Sequence, residues 1–351
     1  MNNFLALEKA IAFLVEKSLN FAIFRQPNES KITLFLDLGK NRKTGFVLQP
    51  YSTKKTSMLI SNDLVLENEN ISVENIQKQI AKEIFKKNQV SANLSIHFMS
   101  KNAYKLYVED MASKCAAGEF KKAVATRIKN VNLPSDFNIG KYFVKLLENY
   151  SDVFVNMHYT AQYGLWIGAT PELLLKKDGE TFETVSLAGT KLISENRDWT
   201  AKEIEEQQIV TDYIKDTLLA QNCTLNESLK TETVQAGQIE HLKTKIVFKS
   251  EKNVLEILSK LHPTPAICGF PKEEAQSFIR RFEGNQRQLY TGFIGVLTEE
   301  KQCFYVNLRC MKIVENEALI YVGAGVTKDS VPAKEWQETE YKAITLLKFL
   351  A

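Results

Sequence analysis

Six stretches of the chain carry the side chains that acid–base or anion chemistry would need. In Gly168-Ala169-Thr170-Pro171-Glu172-Leu173-Leu174-Leu175 a carboxylate follows a proline turn and opens an apolar run. Such a group is either a solvated strand end or a carboxyl held beside a cavity. Ser186-Leu187-Ala188-Gly189-Thr190 ends a strand in small residues, so another group can approach the backbone closely; it reads equally as a plain glycine turn. His262-Pro263-Thr264-Pro265-Ala266, with Gly269 and Pro271 beyond it, forms a rigid irregular loop that either shapes a site or connects two helices. Tyr321-Val322-Gly323-Ala324-Gly325-Val326 looks like a GxG turn closing a strand, where backbone N–H groups would cradle an anion. It is no dinucleotide fingerprint, because the third glycine is missing and the helix starts too late. On that next helix Glu335, Glu338 and Lys342 share one face at i, i+3 and i+7, as a surface salt-bridge stripe or as a site wall. Glu203 and Glu206 lie on the same side of a helix as Val210 and Tyr213, where a carboxylate is a metal ligand or merely flanks the core.

Behind these stretches, the spacing predicts a short amphipathic N-terminal helix, then strands over 32–38, 45–51 and 58–66 and a helix from Val73 to about Lys86. A helix over 103–117 precedes a strand over 122–131 with Lys122, Val124 and Thr126 on one face. A helix over 139–150 follows, then strands over 153–159, 164–169 and 172–177. The Asp178-Gly179 turn leads back through 181–187, a hairpin signal. A long helix covers 200–219, shorter ones 254–261 and 273–282, then strands 289–297, 303–313 and 318–323 and a closing helix over 333–349. Helices alternate with hairpins rather than single strands, which favours α+β with antiparallel sheets over a doubly wound parallel sheet. No Pro-, Gly- or Ser-rich linker divides the chain, so one unit spanning 1–351 is expected.

The bulk numbers exclude several classes. The 351 residues are 44% hydrophobic and 25% charged, near the soluble average. A net charge of +3 leaves no basic footprint for nucleic acid. Five cysteines, with no CxxC spacing, argue against a disulfide framework and for the cytoplasm. The four histidines form no HxxxH pair, and no apolar run reaches the ~20 residues of a membrane span.

Together these stretches resemble the chorismate-utilising enzymes, a family that includes isochorismate, salicylate, anthranilate and aminodeoxychorismate synthases. The resemblance rests on KAVATR at 122–127, GATPELLL at 168–175, SLAGT at 186–190, KEIEEQ at 202–207, HPTPA at 262–266, YTGFIG at 290–295, VNLR at 306–309 and GAGV with SVPAKEWQETEYK through 342. It spans the region from about 100 to the end; residues 1–100 match only weakly, as the family's variable N-terminal half. It implies two packed, mostly antiparallel sheets enclosed by helices. It implies one Mg²⁺ held by Glu206 and Glu338, with Glu335 orienting its waters, an ion that favours one or two carboxylates plus a substrate anion. Chorismate would lie against Ala188, Gly189, Thr190, His262, Ala266, Tyr290 and Gly323, its enolpyruvyl carboxylate on the Arg309 fork and its ring carboxylate near Lys342. A monomer is the expectation that goes with the family.

Within the family the nucleophile divides the branches. The lysine that aminodeoxychorismate synthases use for attack stands here as Ala188, and Lys122 replaces the glutamine usual in anthranilate synthases, which also carry a threonine where this chain has Ala266. Both differences favour water. The resemblance then implies an isochorismate synthase: Lys122 as base for water attack at C2, Glu172 as acid for the departing C4 hydroxyl. The Glu206-Gln207 pair departs from the Glu-His pair of many isochorismate synthases. Salicylate synthase, an anthranilate synthase component and a non-catalytic chorismate-binding subunit are the alternatives. Isochorismate feeds menaquinone, catechol siderophores and salicylate.

Overall fold

Among the described residues every strand pairing is antiparallel, from the Phe21–Arg25/Ile32–Leu36 hairpin to the long Thr181–Leu192/Ile239–Lys249 ladder. The computed structural model describes residues 3–40, 42–81, 96–226, 229–236, 239–284 and 286–350. Among them eighteen strands form two nine-stranded sheets, and eight α-helices cover the outer faces. The fold is therefore α+β, as the order of helices and hairpins implies.

Aromatic residues fill the space between the sheets. Phe24, Phe46, Phe154 and Tyr305 stack or tilt against one another, with the Phe154 and Tyr305 rings 4.3 Å apart. The outer face of one sheet is sealed by Asn3–Glu16, Ile139–Asn149 and Pro332–Leu347. The outer face of the other is sealed by Ala201–Leu219 and Val254–Leu261. Helix starts are fixed by side chains that accept orphan N–H groups, as Asn138 does from Lys141 and Asn253 from Glu256.

Three differences from the expected elements decide where key side chains point. The run over 303–313 is two strands, Gln302–Val306 and Cys310–Val314, in different sheets. Arg309, with φ 47°, turns the chain from one sheet to the other. Gly164–Thr170 and Leu173–Asp178 likewise belong to different sheets, with Pro171 and Glu172 at the crossing. The two crossings are bonded together: Thr170 Oγ1 donates to the Val306 carbonyl at 2.7 Å and Val306 N to the Glu172 carbonyl at 3.0 Å. Finally, Gly323 and Gly325 do not form a turn. They lie inside Glu317–Val326, opposite Thr126 and Val124, so the strand ladder, not a bend, determines where their N–H groups point.

The first hundred residues supply strands to both sheets: Phe21–Arg25 pairs with Phe154–Thr160, and Gly45–Gln49 with Phe293–Leu297. The strand expected over 289–297 begins only at Phe293, and that over 58–66 breaks into Met58–Ser61 and Leu64–Glu67. The helix from Val73 extends to Ile80; its expected continuation to Lys86 lies outside the described residues.

Candidate active site

A cavity opens where the sheet comes apart. The ladder between Cys310–Val314 and Glu317–Val326 ends at the Met311–Ile320 pair, while Glu317–Val326 continues along Lys122–Asn132 as far as Val326. The gap between them is lined by Lys122, Glu172, Ala188, Gly189, Thr190 and Ala266 on strands and loops, by Tyr290, Arg309 and Gly323, and by Glu206, Glu338 and Lys342 from two helices.

Lys122 is 1% exposed and its Nζ stands 2.9 Å from Glu206 Oε1. Its neighbour Lys121 points the other way, exposed over the Phe270 ring. The two glycines of the GxG stretch make room for this pairing. A Cβ on Gly325 would meet Glu206 Oε1 at 2.3 Å and Lys122 Cε at 3.1 Å, and one on Gly323 would crowd the Tyr290 hydroxyl at 3.2 Å. The Gly323 carbonyl accepts from Lys342 Nζ at 2.9 Å, and Lys342 also donates to Glu338 Oε1 at 2.6 Å.

Glu172 is 5% exposed and its carboxyl has no hydrogen-bond partner among the described residues. Burial pushes its pKa up to about 7, against the opposing pull of Lys122, Lys342 and Arg309. Arg309 donates to Thr345 Oγ1 at 2.8 Å, and burial lowers its pKa.

Of the expected cation ligands, Glu206 and Glu338 line this cavity. Among the described residues no three His, Cys, Asp or Glu side chains gather into a cation cage. Two carboxylates from facing helices nevertheless suit a hard cation that completes its shell with water and a substrate anion. Glu335 stands apart. It is 2% exposed, bonded to Lys202 Nζ at 2.7 Å, and lines an outer chamber that shares Thr190 and Glu338 with the inner cavity. Burial and the Glu338 charge raise its pKa. His262 is also off the cavity wall: its buried ring packs edge-on against Phe293 at 5.2 Å. Glu203 takes the structural option that its spacing left open, accepting from Thr200 N at 2.8 Å and from Arg197 as a helix cap.

One titratable lining residue lies outside every stretch that the sequence singled out. His241, on Ile239–Lys249, is buried at the cavity wall with Nδ1 3.0 Å from the Gly189 carbonyl. A carbonyl only accepts, so the proton sits on Nδ1 and Nε2 keeps a lone pair. Burial first, then Arg309 and Lys342, push its pKa down to about 3, so the ring is neutral. The contact falls at a bulge: Gly189 adopts φ +67° between Ala188 and Thr190, and a Cβ there would meet the Glu203 carbonyl at 3.1 Å.

Comparison with known proteins points the same way as the cavity. A family model described as chorismate binding enzyme matches residues 48–351. The isochorismate synthase EntC of Escherichia coli (strain K12) is 32% identical over 257 residues, 68% of this chain and 66% of its own. The chloroplastic isochorismate synthase of Catharanthus roseus is 37% identical over 199 residues, 53% of this chain and 34% of its own. The matched stretch is thus less than two thirds of either relative's length. In fold, the menaquinone-specific isochorismate synthase MenF from Escherichia coli superposes with a TM-score of 0.79 at 20% identity, over 100% of this chain and 92% of that one.

Proposed function

The chain belongs to the chorismate binding enzyme family, and from that premise we propose that it is an isochorismate synthase, converting chorismate to isochorismate with Mg²⁺. The observation that carries the reading is the meeting of a fully buried lysine, Lys122, and a buried carboxyl with a raised pKa, Glu172, in one cavity that also holds two anion-binding side chains, Arg309 and Lys342.

Lys122 opens the Lys122–Asn132 strand and Glu172 stands at the crossing between the sheets, and both side chains line the cavity. In this reading the substrate ring lies between these two side chains. Arg309 takes the enolpyruvyl carboxylate on its planar fork, and Lys342 the ring carboxylate. As the base, Lys122 Nζ accepts a proton as water oxygen bonds to C2. The ring π electrons shift, the C4–O bond breaks, and the leaving hydroxyl takes the Glu172 proton and departs as water. One water enters and one leaves, so the product is an isomer of the substrate. A pKa of about 7 leaves a large share of Glu172 protonated at neutral pH, which suits a general acid. Ala188 offers no amine to attack the ring.

Glu206 and Glu338 would hold the Mg²⁺, which when bound neutralises and orients the ring carboxylate. Before then, Lys122 and Lys342 occupy those two carboxylates. Five free, buried cysteines suit the reducing cytoplasm, and among the described residues no helix is long and apolar enough to cross a membrane.

The test is product analysis after incubating the purified protein with chorismate and Mg²⁺. Isochorismate, of unchanged mass, is expected. Salicylate with released pyruvate, or turnover only with an amine source, would assign the chain to another branch.

A further inference from the structure

Lys202 sits badly by local rules. It occupies the first turn of Ala201–Leu219, at the positive end of the helix dipole, where a cation is disfavoured. Its Nζ reaches across to Glu335 at 2.7 Å, and Glu335 is 2% exposed. A residue that breaks a local preference commonly serves a site. Lys202 lies one turn before Glu206 on its helix, and Glu335 one turn before Glu338 on the other. The two helices pack on different strands, Thr181–Leu192 and Glu317–Val326. The ion pair therefore bridges the two helices, one turn from each proposed cation ligand, and lines the outer chamber that shares Thr190 and Glu338 with the inner cavity.

We propose that Lys202 is a positioning residue that withholds Glu335 from the cation site and so keeps that site at two carboxylates. The inference rests on the proposed cation role of Glu206 and Glu338. Glu335 and Glu338 both line the outer chamber, so a Glu335 carboxylate without its lysine faces the same space as Glu338. A third carboxylate raises divalent affinity by charge and favours Ca²⁺, which takes more oxygen ligands than Mg²⁺. A weakly held Mg²⁺ with open positions leaves room for the substrate carboxylate; a tightly caged cation does not.

The experiment titrates Mn²⁺, a hard divalent ion visible by EPR, into the substrate-free protein. Lys202→Met is expected to bind Mn²⁺ about tenfold more tightly than wild type, and Ca²⁺ to displace Mn²⁺ more readily from the variant. Lys202→Arg keeps wild-type affinity. Lys202→Met with Glu335→Gln returns to wild-type affinity, because the released carboxylate is gone. A pair that only holds the helices together predicts weaker binding in Lys202→Met, so weaker or unchanged Mn²⁺ affinity overturns the inference. Tight binding retained in the double variant also overturns it, leaving lysine charge alone as the cause. Loss of Mn²⁺ binding in Glu206→Gln is the separate check on the cation site itself: if that variant binds as wild type does, the underlying reading fails, whatever Lys202 does.

Discussion

The cavity has two unlike walls. Lys122, Glu172 and Arg309 stand on strands or on the crossings between the sheets, where ladders on both sides determine the backbone. Glu206, Glu338 and Lys342 stand on helices that lie over the sheets, with side chains 13%, 22% and 19% exposed and each held by an ion pair. A group that must meet a reacting atom gains from a backbone it cannot shift. A group that binds an ion gains from partners it can exchange. The strand wall should therefore govern turnover, and the helix wall affinity.

Lys122→Ala tests that division most severely. General base catalysis typically contributes about 10²–10⁴-fold, so kcat should fall by that order with KM little changed, while Lys121→Ala stays near wild type. An inactive Lys121 variant beside an active Lys122 variant would reverse the assignment. Glu172→Gln should lose a comparable factor in kcat. It should also remove the decline in kcat/KM that the wild-type acid produces as pH rises through about 7.

Glu206→Gln and Glu338→Gln should act differently, raising the Mg²⁺ concentration needed for activity more than they lower kcat at saturating Mg²⁺. Full activity in excess EDTA would remove the helix wall's proposed role. Arg309→Lys crosses between the walls: it keeps the charge and loses the fork, so the chorismate KM should rise with kcat retained. Unchanged kinetics would place Arg309 away from the substrate.

The smallest effect is on stability. Burial raises the folded-state pKa of Glu172 from the ordinary 4.5 to about 7. Between those values the folded protein holds a proton that the unfolded chain releases, so stability falls as pH rises from about 4.5 to 7. At ~1.4 kcal/mol per tenfold, the loss is roughly 3 kcal/mol. Glu172→Gln lacks this titration, so its Tm should drop less than that of the wild type between pH 5 and pH 8. Parallel Tm curves would mean that Glu172 ionises normally.

The two walls also differ in how legible they are from sequence. Helical spacing puts Glu335, Glu338 and Lys342 on one face, but cannot separate Glu338 at the cavity from Glu335 bonded to Lys202, because that depends on a partner helix far away in sequence. The strand wall shows its residues but not its architecture. The apolar run through 303–313 reads as one strand, since nothing in it marks Arg309 as the left-handed crossing between sheets. GxG reads as a turn because glycines usually make turns; here they clear space for Glu206 and Lys122 across a ladder. His241 escapes a sequence reading because lysines at 243 and 245 obscure its strand, although Thr244, Ile246 and Phe248 alternate inward as a strand should.

In the proposed reaction water attacks C2 while the C4 hydroxyl departs separately, and both catalytic assignments depend on that order of bonds. Turnover of chorismate in H₂¹⁸O, with the product read by mass spectrometry, reports on it without any variant. Isochorismate carrying one solvent oxygen, located at C2, is the expected product, formed in Lys122→Ala at a rate lower by the same order as kcat. Isochorismate formed without solvent oxygen would mean that the hydroxyl migrates within the ring, and then Lys122 is not the base that activates water and Glu172 is not the acid that releases it.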